Sequence, residues 1–187
     1  MRIVAGRHRG RSLQAPEGLA VRPTADRTRE AIFNVLTQGK LVGGQNPLPG
    51  ARVLDAFAGT GALGLEALSR GAVAACFMES QAAALAALRD NIGLLGEGDK
   101  AEVLAVDVLR PPPAKAACQI VLMDPPYNQG LAEPALLALA EAGWLAPGAV
   151  IAIELMKAET FTPPAGFETL DVRTYGKAKV TFLAYME

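Results

Sequence analysis

Four consecutive residues near the middle of the chain, Asp124-Pro125-Pro126-Tyr127, combine a carboxylate, a rigid turn and an aromatic ring. They follow the uncharged run 119–123, whose aliphatic composition predicts a strand buried on both faces. The prolines end that strand because proline has no N–H to donate to a sheet. Together these groups could hold the exocyclic amino group of a flat heterocycle while the ring stacks on it. An ordinary strand-ending turn is the alternative interpretation.

A second candidate site is the glycine-rich segment Phe57-Ala58-Gly59-Thr60-Gly61-Ala62-Leu63-Gly64. Its Gly-x-Gly-x-x-Gly spacing lets the backbone approach a ligand and leaves free amides at the start of a helix. A nicotinamide or flavin dinucleotide is the first expectation for this spacing. However, Asp55 would direct a negative charge at a pyrophosphate, and the chain has no second mononucleotide-binding half. S-adenosylmethionine fits better, because it carries an ammonium, a sulfonium and a carboxylate but no phosphate.

Acidic residues also lie at the ends of three successive predicted strands: Asp55, Glu79 and Asp107. Glu79 could accept both hydroxyls of a ribose, and Asp107 could accept the amino group of an adenine. Because the carboxyl ends of parallel strands meet at one edge of a sheet, these carboxylates predict a nucleoside site. Each one alone could equally be a helix cap or a solvated charge. The candidate cofactor residues in these segments are Asp55, Phe57, Gly59, Thr60, Gly61, Glu79 and Asp107.

The N-terminal part of the chain is basic. Residues 1–40 hold eight Lys or Arg and three Asp or Glu, a net charge of +5, which leaves −6 for the remainder. Such an arm predicts a polyanion partner, with a merely solvated basic face as the alternative. Guanidinium groups match phosphate bidentately. The candidate contacts are Arg7, Arg9 and Arg11, at the tip of a predicted β-hairpin, and Arg22.

A helix is predicted over residues 25–38, with Thr24 as its N-cap after an extended Arg22-Pro23 pair. If this helix crosses the mouth of the cofactor site, it would direct Arg29 towards a carboxylate or a phosphate. Arg29 is therefore a further candidate cofactor residue. A charged, solvated helix face is the alternative.

From residue 52 onwards, predicted strands alternate with predicted helices, and two final strands form an antiparallel pair. Repeated β-α units imply a parallel sheet with helices on both faces. We therefore predict a Rossmann-like α/β domain over residues 45–187, with a basic hairpin and helix extension over residues 1–44. The predicted strands are 52–57, 73–78, 102–106, 119–123, 149–155, 167–174 and 179–185, and the predicted helices within the domain are 62–69, 81–95 and 131–142.

Composition excludes several classes of protein. The chain has 187 residues, of which 51% are hydrophobic and 20% charged, as expected of a globular protein with a sizeable core. It has no apolar run near the ~20 residues that span a membrane, and no apolar segment follows the basic N-terminus as in a secretory signal. We expect a cytoplasmic protein with free thiols at Cys76 and Cys118. One histidine and two scattered cysteines predict no metal site.

The segments around Asp55, Glu79, Asp107 and 124–127 resemble the class I methyltransferases that act on amino groups. More narrowly, two stretches are similar to the RsmD family, and the resemblance covers nearly the whole chain. They are Arg22-Pro23-Thr24-x-Asp26-Arg27-x-Arg29-Glu30-x-x-Phe33-Asn34 and Phe57-Ala58-Gly59-Thr60-Gly61-Ala62-Leu63-Gly64-Leu65-Glu66-Ala67-Leu68-Ser69-Arg70-Gly71.

The resemblance implies a class I methyltransferase fold with a seven-stranded, mainly parallel sheet that ends in an antiparallel pair. It implies S-adenosylmethionine as cofactor and N2 of one guanine in 16S ribosomal RNA as substrate. We expect this RNA to be bound within a partly or fully assembled small subunit, with naked RNA as the alternative. Asp124, Pro125, Pro126 and Tyr127 would then be catalytic, and the basic arm would contact RNA. A monomer is expected, and Tyr175-Gly176-Lys177, which resembles a turn of the family, receives no role.

Three other functions remain open at this point. The same chemistry could act on adenine N6 of DNA or on a glutamine amide of a protein, because Asp-Pro-Pro-Tyr is shared with those enzymes. A chain of this length has no room for a separate DNA-recognition domain, which favours RNA. The third alternative is a non-catalytic module that binds S-adenosylmethionine and RNA, although a pure binder has no use for an intact Asp-Pro-Pro-Tyr.

Overall fold

A computed structural model describes residues 1–16, 23–41 and 43–187, without the side chains of residues 23–25. Within these ranges seven strands form one sheet, and four α-helices accompany it. The strands are β1 (Arg52–Ala56), β2 (Ala74–Glu79), β3 (Ala101–Ala105), β4 (Cys118–Met123), β5 (Leu145–Met156), β6 (Phe167–Tyr175) and β7 (Ala178–Tyr185). The helices are α1 (Pro23–Thr37), α2 (Ala62–Ser69), α3 (Ala82–Leu95) and α4 (Ala132–Glu141).

The strand order in the sheet is β3-β2-β1-β4-β5-β7-β6. Strands β1 to β5 pair in parallel, whereas β7 runs antiparallel to both β5 and β6. The predicted seven-stranded sheet with an antiparallel last pair is thus confirmed. The chain leaves β1 towards β2 on one side, while β4 lies on its other side. This reversal is the position at which open α/β sheets bind ligands.

Both faces of the central strands are covered, which explains their near-continuous apolar sequences. Alternate residues of β4 enter different core clusters: Ile120 and Leu122 pack on the face that carries α2 and α3, and Val121 and Met123 pack on the face of α4. The alternation follows the two-residue period of a strand. Cys76 and Cys118 are buried and free, as predicted.

Most predicted elements agree with the structure within one or two residues. The clearest difference is β5, which begins at Leu145 rather than at residue 149, because Leu145 pairs with Cys118 before a register shift in the ladder. Helix α1 begins at Pro23, where the missing N–H of a proline costs no hydrogen bond. Thr24 therefore lies inside the first turn, and its predicted capping side chain falls outside the described residues.

The N-terminal extension packs onto the domain. The predicted hairpin is reduced to one antiparallel bridge between Arg2 and Ser12, closed by a turn with a bond from Gly10 N to Ile3 O. Ile3 and Phe33 are buried in the same core cluster as α2. The boundary near residue 44 stays a prediction. No helix in the described ranges is long and apolar enough to cross a lipid bilayer.

Candidate active site

A cavity of about 640 Å³ lies at the carboxyl ends of the parallel strands, across the point where the strand order reverses. Its size is typical of a small-molecule site. The predicted site residues that line it are Arg29, Phe57, Gly59, Thr60, Glu79, Asp107, Asp124, Pro125, Pro126 and Tyr127. The structure thus brings both sequence motifs to one cavity.

The glycine-rich turn between β1 and α2 owes its shape to three different constraints. A Cβ on Gly64 would lie 2.3 Å from the ring of Phe77, so this glycine lets α2 sit close to the sheet. Gly61 has a φ of +81°, and a Cβ there would lie 2.3 Å from Leu88. Gly61 faces the core and does not line the cavity. Gly59, with a φ of +55°, lines the cavity and has open space beside it.

Asp55 does not line the cavity, contrary to the placement expected from the sequence. Its side chain is buried beneath the turn, and Oδ2 accepts a hydrogen bond of 2.7 Å from the backbone N–H of Gly64. Burial raises the pKa of Asp55 well above its ordinary value, more than the bond from Gly64 lowers it. Asp55 therefore fixes the start of α2 from beneath the cavity lining, and its contact with a cofactor stays a prediction.

Glu79 ends β2 at the cavity wall, with both carboxylate oxygens already bonded to the backbone. Oε2 accepts Gly59 N at 2.8 Å, and Oε1 accepts Ser80 N and Gln81 N, each at 2.8 Å. A carboxylate offers about four acceptor positions. One position on Oε2 thus remains, which is enough for one ribose hydroxyl rather than the two expected. The three bonds hold the carboxylate rigidly beside the glycine turn.

Asp107 and Arg29 also reach the cavity lining. Asp107 is exposed there, two residues beyond the end of β3, and its Oδ1 accepts Leu109 N at 3.0 Å. The buried guanidinium of Arg29 donates to the carbonyl of Arg2 at 2.5 Å and to Asp26 Oδ1 at 3.0 Å. The cavity therefore offers acceptors near β2 and β3 and a cation beside a carboxylate on α1.

Phe57, the first residue after β1, has a φ of +63°. Bulky residues rarely adopt this left-handed conformation, and strain of this kind concentrates at functional sites. Phe57 lines the cavity and is half-buried. The parallel register of Ala56 with Met123 brings Phe57 next to Asp124, so the two sequence motifs adjoin each other.

Asp124 faces the cavity directly after β4, with Pro125 buried and Pro126 exposed behind it. The surrounding walls desolvate the carboxylate, and this desolvation, with a smaller contribution from the charge of Glu154, raises the pKa of Asp124 to about 7. No cation among the described residues pairs with it. Titratable groups perturbed in this way mark candidate functional sites.

The sequence analysis missed Glu154, which lines the same cavity from β5. Its side chain is 8% exposed, and Oε1 accepts the hydroxyl of Tyr127 at 2.7 Å. Desolvation raises the pKa of Glu154, against the lowering effect of the bond from Tyr127. Leu155 and Met156 continue the strand beyond it. Glu154 therefore does not end an apolar run, and an acid at the end of an apolar run is the pattern that indicated the other acidic residues.

The predicted contacts of the basic arm lie in the N-terminal turn, apart from the cavity lining. Arg7 is partly exposed, and its Nε donates to Glu97 Oε1 at 2.7 Å. Arg9 is exposed, and Arg11, also exposed, donates to the carbonyl of Leu94 at 2.9 Å. Arg22 lies outside the described residues. Two of the three described arginines are thus bonded to the domain, and a role in RNA binding stays a prediction for all of them.

Comparison with known proteins agrees with this geometry. A family model described as Conserved hypothetical protein 95 matches residues 1–184. A protein of Haemophilus influenzae named Ribosomal RNA small subunit methyltransferase D is 35% identical over 94% of this chain and 89% of its own length. The protein of that name from Escherichia coli strain K12 is 38% identical over 82% of this chain and 74% of its own.

Solved structures agree as well. A structure described as "Putative methyltransferase yhhF from Escherichia coli" superposes with a TM-score of 0.82 at 34% identity. The match covers 100% of this chain and 98% of the other.

Proposed function

The chain belongs to the Conserved hypothetical protein 95 family, the RsmD family to which its sequence motifs pointed, and from this premise we propose its reaction. It transfers a methyl group from S-adenosylmethionine to the exocyclic N2 of one guanine in 16S ribosomal RNA. The observation that carries this proposal is Asp124, a carboxylate that faces the cavity beside the glycine-rich turn and has no ion-pair partner among the residues that the structure describes.

The residues that line the cavity fit S-adenosylmethionine. Gly59 and Thr60 form a wall without bulky side chains, Glu79 has one free acceptor position for a ribose hydroxyl, and Asp107 can accept an adenine amino group. Arg29 and Asp26 offer a cation and an anion, which complement the carboxylate and the ammonium of the methionine part. When bound there, S-adenosylmethionine supplies an electrophilic methyl group.

Asp124 and the carbonyl of Pro125 activate the nucleophile. The amino group of guanine is a poor nucleophile because its lone pair is delocalised into the ring. Hydrogen bonds from N2–H to the Asp124 carboxylate and the Pro125 carbonyl draw the nitrogen towards tetrahedral geometry and free the lone pair. Positioning and electrostatics in a partly desolvated site supply most of the rate. Asp124 need not be a strong base, because the methylated, cationic nitrogen loses its proton readily.

Tyr127 provides a platform for the base. A guanine within structured RNA must leave its stack to reach the cavity, and stacking on an aromatic ring offsets part of that cost. The hydrogen bond from the Tyr127 hydroxyl to Glu154 fixes the orientation of the ring before the base arrives. The site is thereby organised in advance of substrate binding.

The basic arm contacts RNA phosphates in this proposal. Arg9 is exposed at the turn, and Arg7 and Arg11 stand on either side of it with part of their surface open. The substrate is the small subunit in a partly assembled state, and the enzyme acts as a monomer. We propose the cytoplasm as its location, because ribosomal RNA is found there.

Transfer of a labelled methyl group tests the proposal. The protein is offered labelled S-adenosylmethionine with small ribosomal subunits, naked small-subunit RNA or duplex DNA, each in a separate reaction. We expect label in the RNA of the first reaction, and the second reaction measures how far assembly matters. Label in DNA alone would favour adenine N6 as the acceptor, and tight binding of the cofactor without any transfer would favour a non-catalytic module.

A further inference from the structure

We propose that Glu154 makes the site selective for guanine, by accepting the N1–H of the same base whose N2 amino group is bound by Asp124. This inference rests on the proposed function and adds a recognition residue to it. It concerns a carboxylate that lines the cavity from β5, the strand beside the one that carries Asp124.

The register of the sheet places the two carboxylates side by side. Met123 pairs with Ile153 in the parallel ladder of β4 and β5, so the next residues on each strand, Asp124 and Glu154, are neighbours. Paired strands lie roughly 4.8 Å apart. The two-residue period also puts both on one face, since Leu122 and Ala152 belong to the same core cluster. Asp124 and Glu154 thus line the cavity as a pair on one face of the sheet.

Glu154 has an oxygen to offer a substrate. Oε1 accepts the hydroxyl of Tyr127, and no hydrogen bond to Oε2 of Glu154 is found among the described residues. A carboxylate on a cavity wall is suited to accept a hydrogen bond from a donor on a ligand.

Two neighbouring carboxylates complement the Watson–Crick edge of guanine. On that edge N1–H and the N2 amino group are adjacent donors, whereas adenine presents an acceptor at N1 and its amino group on C6. An ionised carboxylate can only accept, so Glu154 would be attracted by guanine N1–H and repelled by the lone pair of adenine N1. Flipped bases are commonly read through this edge. The pair therefore explains how a general amino-group motif can be restricted to guanine.

The test compares two bases that differ at N1. Once the methylated position has been mapped, small-subunit RNA is ligated with either guanosine or 2-aminopurine riboside at that position and assembled into subunits. 2-Aminopurine keeps the N2 amino group but has an acceptor at N1. The ratio of kcat/KM for the two RNAs is measured for the wild type and for E154Q, whose amide can donate to that acceptor. Thermal unfolding checks that the variant is folded.

We expect the wild type to prefer guanosine by roughly 100-fold or more, because a site built for a donor rejects a base that lacks it. In E154Q this preference should fall at least tenfold, through a gain on 2-aminopurine. E154D, which keeps the carboxylate, should retain the preference even if its rate is lower. An unchanged ratio in E154Q, with guanosine still methylated, would overturn the role of Glu154 and leave the proposed function standing.

The variant Y127F separates recognition from positioning. Phe can still stack but cannot bond Glu154, so Y127F should lower kcat for both RNAs and leave the guanosine preference within about threefold of the wild type. If Y127F reduced the preference as much as E154Q does, Glu154 would act only by holding Tyr127, and the inference would be overturned. If the wild type methylated no guanine at all, the proposed function itself would fail, and the inference with it.

Discussion

Two pairs of carboxylates in this molecule differ in the groups that surround them. The arm acids, Glu66 and Glu97, lie under the N-terminal turn, and the cavity pair, Asp124 and Glu154, lies at the ends of β4 and β5. Glu66, Glu97 and Glu154 are buried, whereas Asp124 is exposed to the cavity, whose walls desolvate its carboxylate. The arm acids are neutralised by cations and backbone amides, whereas the cavity pair has no ion-pair partner in the described part of the chain.

Glu66 shows the compensated arrangement most fully. Its oxygens accept Val4 N at 2.8 Å, Ala5 N at 3.0 Å and Arg70 Nε at 2.7 Å, and Arg29 Nε lies 3.8 Å away. At Glu97, burial would raise the pKa, but hydrogen bonds from His8 and Arg7 outweigh it and lower the pKa below its ordinary value. These carboxylates fasten the arm to the domain, so their role is structural.

The cavity pair is the opposite case. Desolvation raises the pKa of both carboxylates. The negative charge of Glu154 raises the pKa of Asp124 further. A desolvated charge without a cation costs stability, and a protein retains it where a ligand supplies the missing donors. We therefore expect substitutions in the cavity pair to affect activity and substitutions of the arm acids to affect folding.

The largest effect should follow Asp124→Ala. Loss of the acceptor for N2–H should reduce kcat/KM for methyl transfer by about 10³-fold or more, as for other groups that act on the transition state. The affinity for S-adenosylmethionine should change less than about threefold, because Asp124 contacts the base. Transfer assays and calorimetric titration of the cofactor measure the two effects. Equal losses in both would contradict this division of roles.

Glu66→Gln should produce the reverse pattern. It removes the buried negative charge that pairs with Arg70 Nε and lies 3.8 Å from Arg29 Nε, which should lower the free energy of unfolding by roughly 3 kcal/mol. At denaturant concentrations below its unfolding transition, the variant should keep most of its methyl-transfer activity. Denaturant titration measures the loss. Glu102→Gln, which breaks an exposed pair with Lys115, is the control and should change stability little.

The pH dependence of activity should report the cavity pair. With the pKa of Asp124 raised to about 7, kcat/KM should fall about tenfold per pH unit below that value, because the protonated carboxyl is a weaker acceptor. The apparent pKa belongs to the pair. In Glu154→Gln the acid limb of the pH profile should move to lower pH, since the repulsion by Glu154 is removed while the desolvation of Asp124 remains. An acid limb that stays in place would show that Glu154 does not act on Asp124.

The same raised pKa predicts an effect on stability. The native state holds the Asp124 proton more tightly than the unfolded chain, whose carboxyl titrates near its ordinary value of 3.8. Wild-type stability should therefore decrease as the pH rises from 4 to 7 on account of this group. Asp124→Asn should be more stable than the wild type at pH 8, and the difference should vanish near pH 4. Thermal unfolding at both pH values measures it.

The smallest effect concerns the arginines of the turn that the arm acids hold. Replacing Arg7, Arg9 and Arg11 together by Ala should weaken RNA binding and reduce the slope of log K against log salt concentration by up to about 3. Arg89→Ala, on the exposed face of α3, controls for net charge. Unchanged RNA binding would leave these arginines with their structural bonds and a solvated surface only.

The sequence predicted the order and type of nearly all strands and helices, because each buried strand is a short apolar run and each helix is closed by a turn signal. It also located the cavity, since the two motifs follow neighbouring strands. It could not place Asp55 and Glu154 correctly. Both are acids within strands that face the same side of the sheet. Helix α2 covers Asp55, whereas Glu154 stays open to the cavity, and that difference depends on tertiary packing.

The ion pairs between the arm and the domain could not be predicted from the sequence either. Arg7 and Glu97 are 90 residues apart, and nothing in their local patterns indicates that they meet. The charge count of the N-terminal segment predicted a free basic surface. In the structure, Arg7 and Arg11 bond to the domain and hold the arm in place, whereas Arg9 is exposed, as a basic surface requires.

The identity of the methylated nucleoside tests the central claim most directly. Small ribosomal subunits are incubated with S-adenosylmethionine and either the wild type or Asp124→Ala, and their RNA is digested to nucleosides and analysed by mass spectrometry. We predict that N2-methylguanosine is the methylated nucleoside formed by the wild type and that it is absent with the variant. A methyl group on adenine N6 or on another atom of guanine, or N2-methylguanosine formed equally well without the Asp124 carboxylate, would contradict the account.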